Sequence, residues 1–441
     1  MERYILKEML AWRSSPHRKP LLLWGARQVG KTYILQKFGR QFFDKVHYFN
    51  FERTPELHSI FAHNLEPNTI ITQLEFYLGL PIDRERDLII FDEIQECPNA
   101  LTSLKYFCED MPKLALCAAG SLLGLQFSSH SFPVGKVDIL HLHPLCFEEF
   151  LLGLGDNKSL DILHQLSHNS FIPEIVHKHL WEKLKLYFIV GGLPEVITTY
   201  LQYQTHLLVA LEKVRKKQEE LITAYTADMA KHAGKVNAMH IDRVWRAVPE
   251  QLALAQDGSA QKFKFKGVIP GINRYDRMAG PIDWLQSAGL IIKIPIANAA
   301  QLPLAAYTKE NAFKLYMFDV GILGAMSYLS PKAILDYHYG TYKGYFAENF
   351  VAQEFRSKDA QPLYCWQARQ SEVEFVRVVD DVVIPIEVKS GHVTQAKSIK
   401  IFQEKYQAPY RVIMSANNLR IDHQHKLHRY PLYLAYKFPL L

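Results

Sequence analysis

Residues 21–32, Leu-Leu-Leu-Trp-Gly-Ala-Arg-Gln-Val-Gly-Lys-Thr, constrain this chain more than any other stretch. Leu21, Leu22, Leu23 and Trp24 make a short apolar run that reads as a buried strand. It leads directly into Gly25-Ala26-Arg27-Gln28-Val29-Gly30-Lys31-Thr32, which satisfies G-x-x-x-x-G-K-[ST] at every fixed position. Good helix formers follow from Tyr33 to Phe38, and Gly39 is the expected stop. In a strand, glycine-bounded loop and helix of this kind, backbone N–H groups wrap phosphates and the helix N-terminus adds its positive end. The pattern predicts Gly25, Ala26, Arg27, Gln28, Val29, Gly30, Lys31 and Thr32 as the nucleotide-binding set. Lys31 is expected to reach the β- and γ-phosphates, and the Thr32 hydroxyl to ligate Mg²⁺. A nucleoside triphosphate and Mg²⁺ are the expected cofactors.

Asp87-Leu88-Ile89-Ile90-Phe91-Asp92-Glu93 is the second landmark. An apolar strand ending in two acids delivers carboxylates to its C-terminal end, where open α/β sheets bind ligands. Asp92 is expected in the Mg²⁺ shell and Glu93 beside the attacking water. The same pattern also occurs at ordinary exits from strand to loop; its place downstream of a complete phosphate loop favours the catalytic interpretation. Leu114-Ala115-Leu116-Cys117-Ala118-Ala119-Gly120-Ser121 is a further buried strand, whose Ser121 either senses the γ-phosphate or closes a plain Gly-Ser turn. Lys31, Glu93 and Ser121 are the expected catalytic residues.

Strands are also expected over Val46–Phe51 and Val137–Leu142, with helices over residues 3–13 and 70–80. Strands alternating with helices predict an α/β fold with a parallel sheet and helices on both faces. At 441 residues the chain exceeds one ordinary core, so several domains are expected. A net charge of +6 permits nucleic acid as a partner without requiring it. Five cysteines with no C-x-x-C spacing argue against a disulfide framework or zinc site and fit a reducing, cytoplasmic compartment. The first residues lack the apolar core of a signal peptide, and no stretch reaches membrane-spanning length.

Residues 160 to 235 turn helical, broken at Gly191-Gly192-Leu193-Pro194-Glu195. The mixed charges of Arg215 to Glu220 read as a solvated helix face. Residues 240 to 296 carry short helices, a Lys262/Lys264/Lys266 segment interleaved with Phe263 and Phe265, and the apolar strand Leu290–Ile294. Helices followed by strands suggest a winged-helix-like unit, used either for DNA contact or as an interdomain or oligomerisation module. The Lys-Phe alternation fits a half-exposed strand equally well.

Near the C-terminus, Phe346–Val351 has a helical pattern, and Ser371–Val376 and Val382–Lys389 form two strands around an Asp380-Asp381 turn. Period-2 geometry places Glu372 with Glu374, and Glu387 with Lys389. A helix glutamate, a strand acid and a Glu-x-Lys pair suit metal-assisted phosphodiester cleavage. They suit equally a salt-bridged pair of strands or a nuclease fold without activity.

The stretches GARQVGKT, LIIFDEIQ, AAGSLLG, PLCFEEFL, YFIVGGLPEV, FKLYMFDVGIL, GYFAENFVAQE and EVEF…PIEVKSG occur in the order seen in predicted AAA-type P-loop ATPases of bacteria and archaea. The chain resembles that family over residues 18 to 400. The resemblance implies a P-loop ATPase domain at 1–155, a helical lid-like region at 156–235, a winged-helix-like domain at 236–330 and a restriction-endonuclease-like, PD-(D/E)xK domain at 331–441. It implies ATP as the nucleotide, Asp92 and Glu93 as Walker B acids, and a nuclease-like site of Glu348, Glu374, Glu387 and Lys389. Two departures stand out. Pro133-Val134-Gly135-Lys136 replaces a Gly-Arg that relatives carry near this point, and Glu-Val-Glu-Phe replaces Glu-Val-Asp-Phe, lengthening the ligand at Glu374 by a methylene. The resemblance implies a Mg²⁺-dependent ATPase whose nucleotide state repositions its C-terminal half. The alternatives are an ATP-gated DNA nuclease and a non-hydrolysing nucleotide switch that acts as an interaction protein. DNA, a protein partner and a second copy of the chain all remain open as partners.

Overall fold

The structure is a computed structural model and describes residues 1–121, 132–254, 261–338, 340, 342–368, 371–391 and 397–440. The chain packs into two units, one of residues 2–143 with 287–289 and one of residues 1, 144–286 and 290–441.

Short apolar runs build the sheet of the first unit: β1 (Leu21–Trp24), β2 (Val46–Asn50), β3 (Leu88–Asp92), β4 (Ala115–Gly120) and β5 (Asp138–His141). All pair in parallel in the order β2-β3-β4-β1-β5. Every residue of β3 and β4 is buried, as expected of strands covered on both faces, whereas β5 alternates as an edge. The helices are α1 (Ile5–Ser14), α2 (Lys31–Phe42), α3 (Pro67–Leu78) and α4 (Pro98–Asp110). Phe49, Phe51, Phe61, Phe91 and Phe107 interlock edge-on in the core, Phe61 and Phe91 at 5.6 Å and 89°.

Gly39 does not end α2, which continues to Phe42. A Cβ at Gly39 would stand 2.5 Å from Val46 Cγ2, so the glycine lets the helix lie close on β2. The stop of α3 is Gly79, left-handed at φ 69°, two residues before Pro81.

The second unit begins with helices α5 (Phe147–Gly153), α6 (Asn157–His164), α7 (Glu174–Val190), α8 (Pro194–Tyr203), α9 (Leu207–Ala233), α10 (Lys235–Leu254) and α11 (Ala279–Ser287). Among the described residues no single helix is long and apolar enough to cross a membrane; α7 and α8 pass that test only as a pair bent by 116°. The bend is Gly191-Gly192, held from outside: Gly192 N–H donates to Asp319 Oδ2 at 2.6 Å, and Gln218 Nε2 donates to Ile189 O and Val190 O. Gln218 is fully buried, and Arg215 reaches Leu329 O, so this part of α9 is not a purely solvated face.

Strands β6 (Ile291–Ala297) and β7 (Thr308–Met317) join β8 (Tyr364–Ala368), β9 (Ser371–Val379), β10 (Val382–Val388), β11 (Arg411–Ser415), β12 (Arg420–Asp422) and β13 (Leu427–Pro431) in one sheet, ordered β12-β13-β11-β10-β9-β8-β6-β7. The hairpin β9–β10 turns at Asp380 and Asp381, both with positive φ (49° and 60°), as a tight right-twisting hairpin requires. Helices α12 (Val320–Met326), α13 (Pro331–Leu335), α14 (Tyr342–Lys358) and α15 (Lys397–Tyr406) complete the unit. From Tyr345 to Phe355 every residue of α14 is buried, and two of its amide side chains satisfy backbone. Asn349 pairs with both the N–H and the C=O of Met317, while Gln353 Oε1 accepts from Val320 N–H.

Candidate nucleotide-binding site

The loop between β1 and α2 turns on Gln28 (φ 65°) and Gly30 (φ 95°). Gly25 is the other obligatory position, because a Cβ there would lie 2.2 Å from Leu142 O. α2 starts with no side-chain cap and no acid in its first turn, leaving its positive end uncompensated by its own side chains.

Lys31 is only 7% exposed and folds back over the loop. Its ammonium donates to Gly25 O (2.9 Å), Ala26 O (2.8 Å) and Ser121 Oγ (3.0 Å). Burial lowers its pKa to about 8, with Glu93 and Asp92 opposing the shift and Arg27 adding to it. Three neutral acceptors hold a cation that a phosphate would hold better.

Parallel pairing sets Asn50 beside Asp92 at the C-terminal ends of β2 and β3. Asp92, 2% exposed, is the hub of a small network. Its Oδ2 accepts from Thr32 Oγ1 at 2.8 Å and from Tyr48 OH at 2.6 Å, and Asn50 Nδ2 supports Tyr48 OH at 3.1 Å. Burial and the Asp92 contact raise the Tyr48 pKa, so its hydroxyl stays a donor. Glu93 sits at φ 50°, in the left-handed region that a non-glycine residue adopts at some cost, and Gln95 Nε2 donates to its Oε2 at 2.6 Å. That turn aims Glu93 out of the strand direction.

The residues expected from sequence, Lys31, Thr32, Asp92, Glu93 and Ser121, thus meet in one place. Leu122-Leu123-Gly124 of the neighbouring stretch lie outside the described residues. Tyr48, Asn50 and Gln95 were not legible as members. Their only signal is position: Asn50 ends β2 beside Asp92, Tyr48 stands two residues before it, and Gln95 lies two residues past Glu93. Lys136 is tied to Glu109 at 2.9 Å. The set suits a triphosphate with Mg²⁺: a hydroxyl and a carboxylate already in contact would share the metal shell, and Lys31 and the α2 N-terminus would face the phosphates.

The second unit brings Glu348, Glu374, Glu387 and Lys389 together with Glu372, which the strand pattern placed beside Glu374, and with two residues that sequence reasoning did not include, Lys314 and Tyr316. Lys389 Nζ lies 2.6 Å from Glu387 Oε1 and 3.7 Å from Glu374 Oε1. Lys314, fully buried on β7, pairs with Glu372 and stands 4.0 Å from Glu348 Oε2, which also accepts from Tyr316 OH at 2.9 Å. Burial alone would lower the Lys314 pKa, but Glu348 and its neighbouring acids outweigh it and raise it. Burial, with Glu387 and Glu348 close by, holds the Glu374 carboxyl well above its ordinary range despite Lys389. Among the described residues no three His, Cys, Asp or Glu side chains are grouped to hold a metal ion. Within this cluster Lys389 engages Glu387 and Glu374, and Lys314 engages Glu372 and lies near Glu348.

A five-stranded parallel sheet with a complete phosphate loop, and an acid-ended strand beside it, define a P-loop nucleotide-binding domain. Residues 17–151 match the family model of the AAA domain, so the first unit is built around an AAA-type P-loop ATPase domain. Residues 181–333 and 343–433 match two families described as domains of unknown function, DUF8612 and DUF4143. No curated protein matches the chain. Among solved structures it is similar to the Walker-type ATPase PABY2304 of Pyrococcus abyssi, at 15% identity and TM-score 0.44, covering 74% of this chain and 95% of that one. It is also similar to the Thermotoga maritima RuvB Holliday junction branch migration motor, at 15% identity and TM-score 0.33, covering 67% and 90%. The Drosophila ORC bound to DNA gives 14% identity and TM-score 0.26, covering 72% and 92%. With scores of this size, the class rests on the domain match and on the geometry of the loop.

Proposed function

We propose that the chain is a Mg²⁺-dependent ATPase whose nucleotide state repositions its C-terminal half. The observation that carries this is the contact of Lys31 with Ser121 and of Thr32 with Asp92, which joins the loop to the ends of β4 and β3. On nucleotide binding, Lys31 exchanges the Gly25 and Ala26 carbonyls for phosphate oxygens, and Ser121 is freed to follow the terminal phosphate. Thr32 and Asp92 would hold Mg²⁺, which when bound neutralises charge on the β- and γ-phosphates. Glu93, oriented by Gln95, accepts hydrogen bonding from the attacking water and aligns it. Loss of the terminal phosphate returns Lys31 to its carbonyls, and the strand ends relax with it. Such coupling of a phosphate to loop position is a general switching device.

The C-terminal cluster favours a non-cleaving role for that half. Glu348, Glu374 and Glu387 are at most 5% exposed, too enclosed to meet a phosphodiester, and both lysines are already paired. The test is steady-state hydrolysis of ATP with Mg²⁺, with and without DNA, for wild type, Lys31→Ala and Glu93→Gln. Turnover lost in both variants supports the ATPase. ATP bound without turnover in wild type replaces it with a switch, and DNA cleavage abolished by Lys389→Ala would restore the nuclease.

A further inference from the structure

Segment 261–277, between α10 and α11, has five Lys and Arg (Lys262, Lys264, Lys266, Arg274, Arg277) against one acid, Asp276, a local charge of 5 − 1 = +4 in a chain whose net is +6. Its shape separates apolar from charged side chains. Phe263 is buried and Phe265 half-buried, while Lys262, Lys264 and Lys266 are exposed. Phe263 stacks on Phe313 of β7 at 6.3 Å, and Phe265 meets Phe313 and Tyr275 edge-on and tilted at 5.8 and 5.7 Å. The backbone is clamped as firmly. Phe263 N–H donates to Phe313 O at 2.9 Å, Lys264 N–H donates to Gln251 Oε1 at 2.8 Å, and Gln251 Nε2 returns a bond to Lys264 O at 2.7 Å.

The consequence is a fixed comb. Exposure alternates with burial from Lys262 to Lys266, so the three lysines face solvent while Phe263 and Phe265 anchor the segment. Among the described residues Lys262, Lys264, Lys266 and Arg277 make no ion pair with a carboxylate. Three described acids of this region have partners of their own: Asp276 with Arg274 at 3.6 Å, Glu310 with Tyr275 OH at 3.2 Å, and Asp283 with Lys293 at 3.7 Å. Lys293 lies beneath, 4.8 Å from the Phe313 ring centre, and adds positive potential without reaching the surface row.

We propose that Lys262, Lys264 and Lys266, with Arg277, form a sequence-independent contact surface for a nucleic-acid phosphate backbone. A backbone suits this row better than a membrane does. Membrane-surface segments place aromatic side chains outward for insertion, and here both phenylalanines are turned into the fold. A rigid row of uncompensated cations also releases counterions without first ordering itself, so its affinity should be steeply salt-dependent.

The test uses the full chain without nucleotide, titrated against a labelled single strand and a labelled duplex by fluorescence anisotropy. Four phosphate contacts predict a slope of log K on log salt of about −2.8 for the single strand and −3.6 for the duplex, between about 50 and 200 mM KCl. The triple variant Lys262→Ala/Lys264→Ala/Lys266→Ala should bind at least about tenfold more weakly, with a slope shallower by 2 to 3. Its melting temperature and basal ATP hydrolysis should match wild type, which separates this surface from the phosphate loop. The triple Lys→Arg variant should retain binding, and Lys216→Ala/Lys400→Ala should leave it unchanged. Absence of wild-type binding at the lowest salt would overturn the proposal. So would an unchanged triple variant, an equal loss in the control variant, or binding only to phosphatidylserine vesicles.

Discussion

A buried lysine that three neutral oxygens hold makes the phosphate loop a pH-dependent source of instability before any ligand arrives. Lys31 has its pKa lowered from 10.5 to about 8 in the folded chain. Between those values the unfolded chain binds the proton and the folded chain does not, so stability rises as pH rises through that window. A displacement of about 2.5 pH units is worth about 3 kcal/mol, present as a penalty at pH 7 and gone above pH 10.5. Lys31→Met keeps the length and removes the charge. The measured quantity is the difference in unfolding free energy between wild type and variant, from urea melts at pH 7 and pH 10. Wild type should gain about 3 kcal/mol relative to Lys31→Met over that span. Other titrating groups cancel in the difference. With saturating ATP and Mg²⁺, phosphates keep the lysine charged, and the wild-type gain should vanish. A difference that stays flat with pH in the free protein would refute the account of Lys31 as a cation held under strain of burial.

Other outcomes follow from named contacts. Burial raises the Asp319 pKa to about 6, against the pull of Gly192 and Ile322 N–H, so its folded form binds a proton that the unfolded chain has released between pH 4 and 6. Stability from this group therefore falls as pH rises through that window, by about 3 kcal/mol at most, and Asp319→Asn should flatten thermal melts recorded from pH 4 to 7. Lys314→Met should destabilise by about 3–5 kcal/mol in denaturant melts, because it leaves the buried Glu348 carboxylate without its nearest cation and unpairs the half-buried Glu372. Glu374→Gln, which keeps the shape of a carboxyl whose charged form burial and the nearby Glu387 and Glu348 disfavour, should cost under about 1 kcal/mol in the same melts. Gly192→Ala should lower the melting temperature markedly, since its Cβ would meet Leu145 O at 2.2 Å; a variant as stable as wild type would show that the break between α7 and α8 can shift.

The phosphate loop, the acid-ended β3 and the alternating strands of the first unit were legible because each is contiguous. A motif of eight residues carries its own turn, its own lysine and its own helix start, and an apolar run of four or five residues can only be a buried strand in that setting. The partners of those residues were not. Tyr48 and Asn50 reach Asp92 only through the parallel register of β2 on β3, and Lys31 meets Ser121 because β4 lies next to β1. In the second unit the gap is wider. Glu348, Glu374, Glu387 and Lys389 stand out in the chain, yet Lys314 reads as a single charge between the apolar residues Phe313 and Leu315. Only the eight-stranded sheet, which joins β6 and β7 to the strands after residue 363, puts that lysine among the acids. Local sequence determined which residues can bind phosphate, cap helices and turn hairpins, since those depend on neighbours a few bonds away. Tertiary structure decided which charges are neutralised, because compensation in a low-dielectric interior depends on side chains that strand order alone brings within a few ångströms.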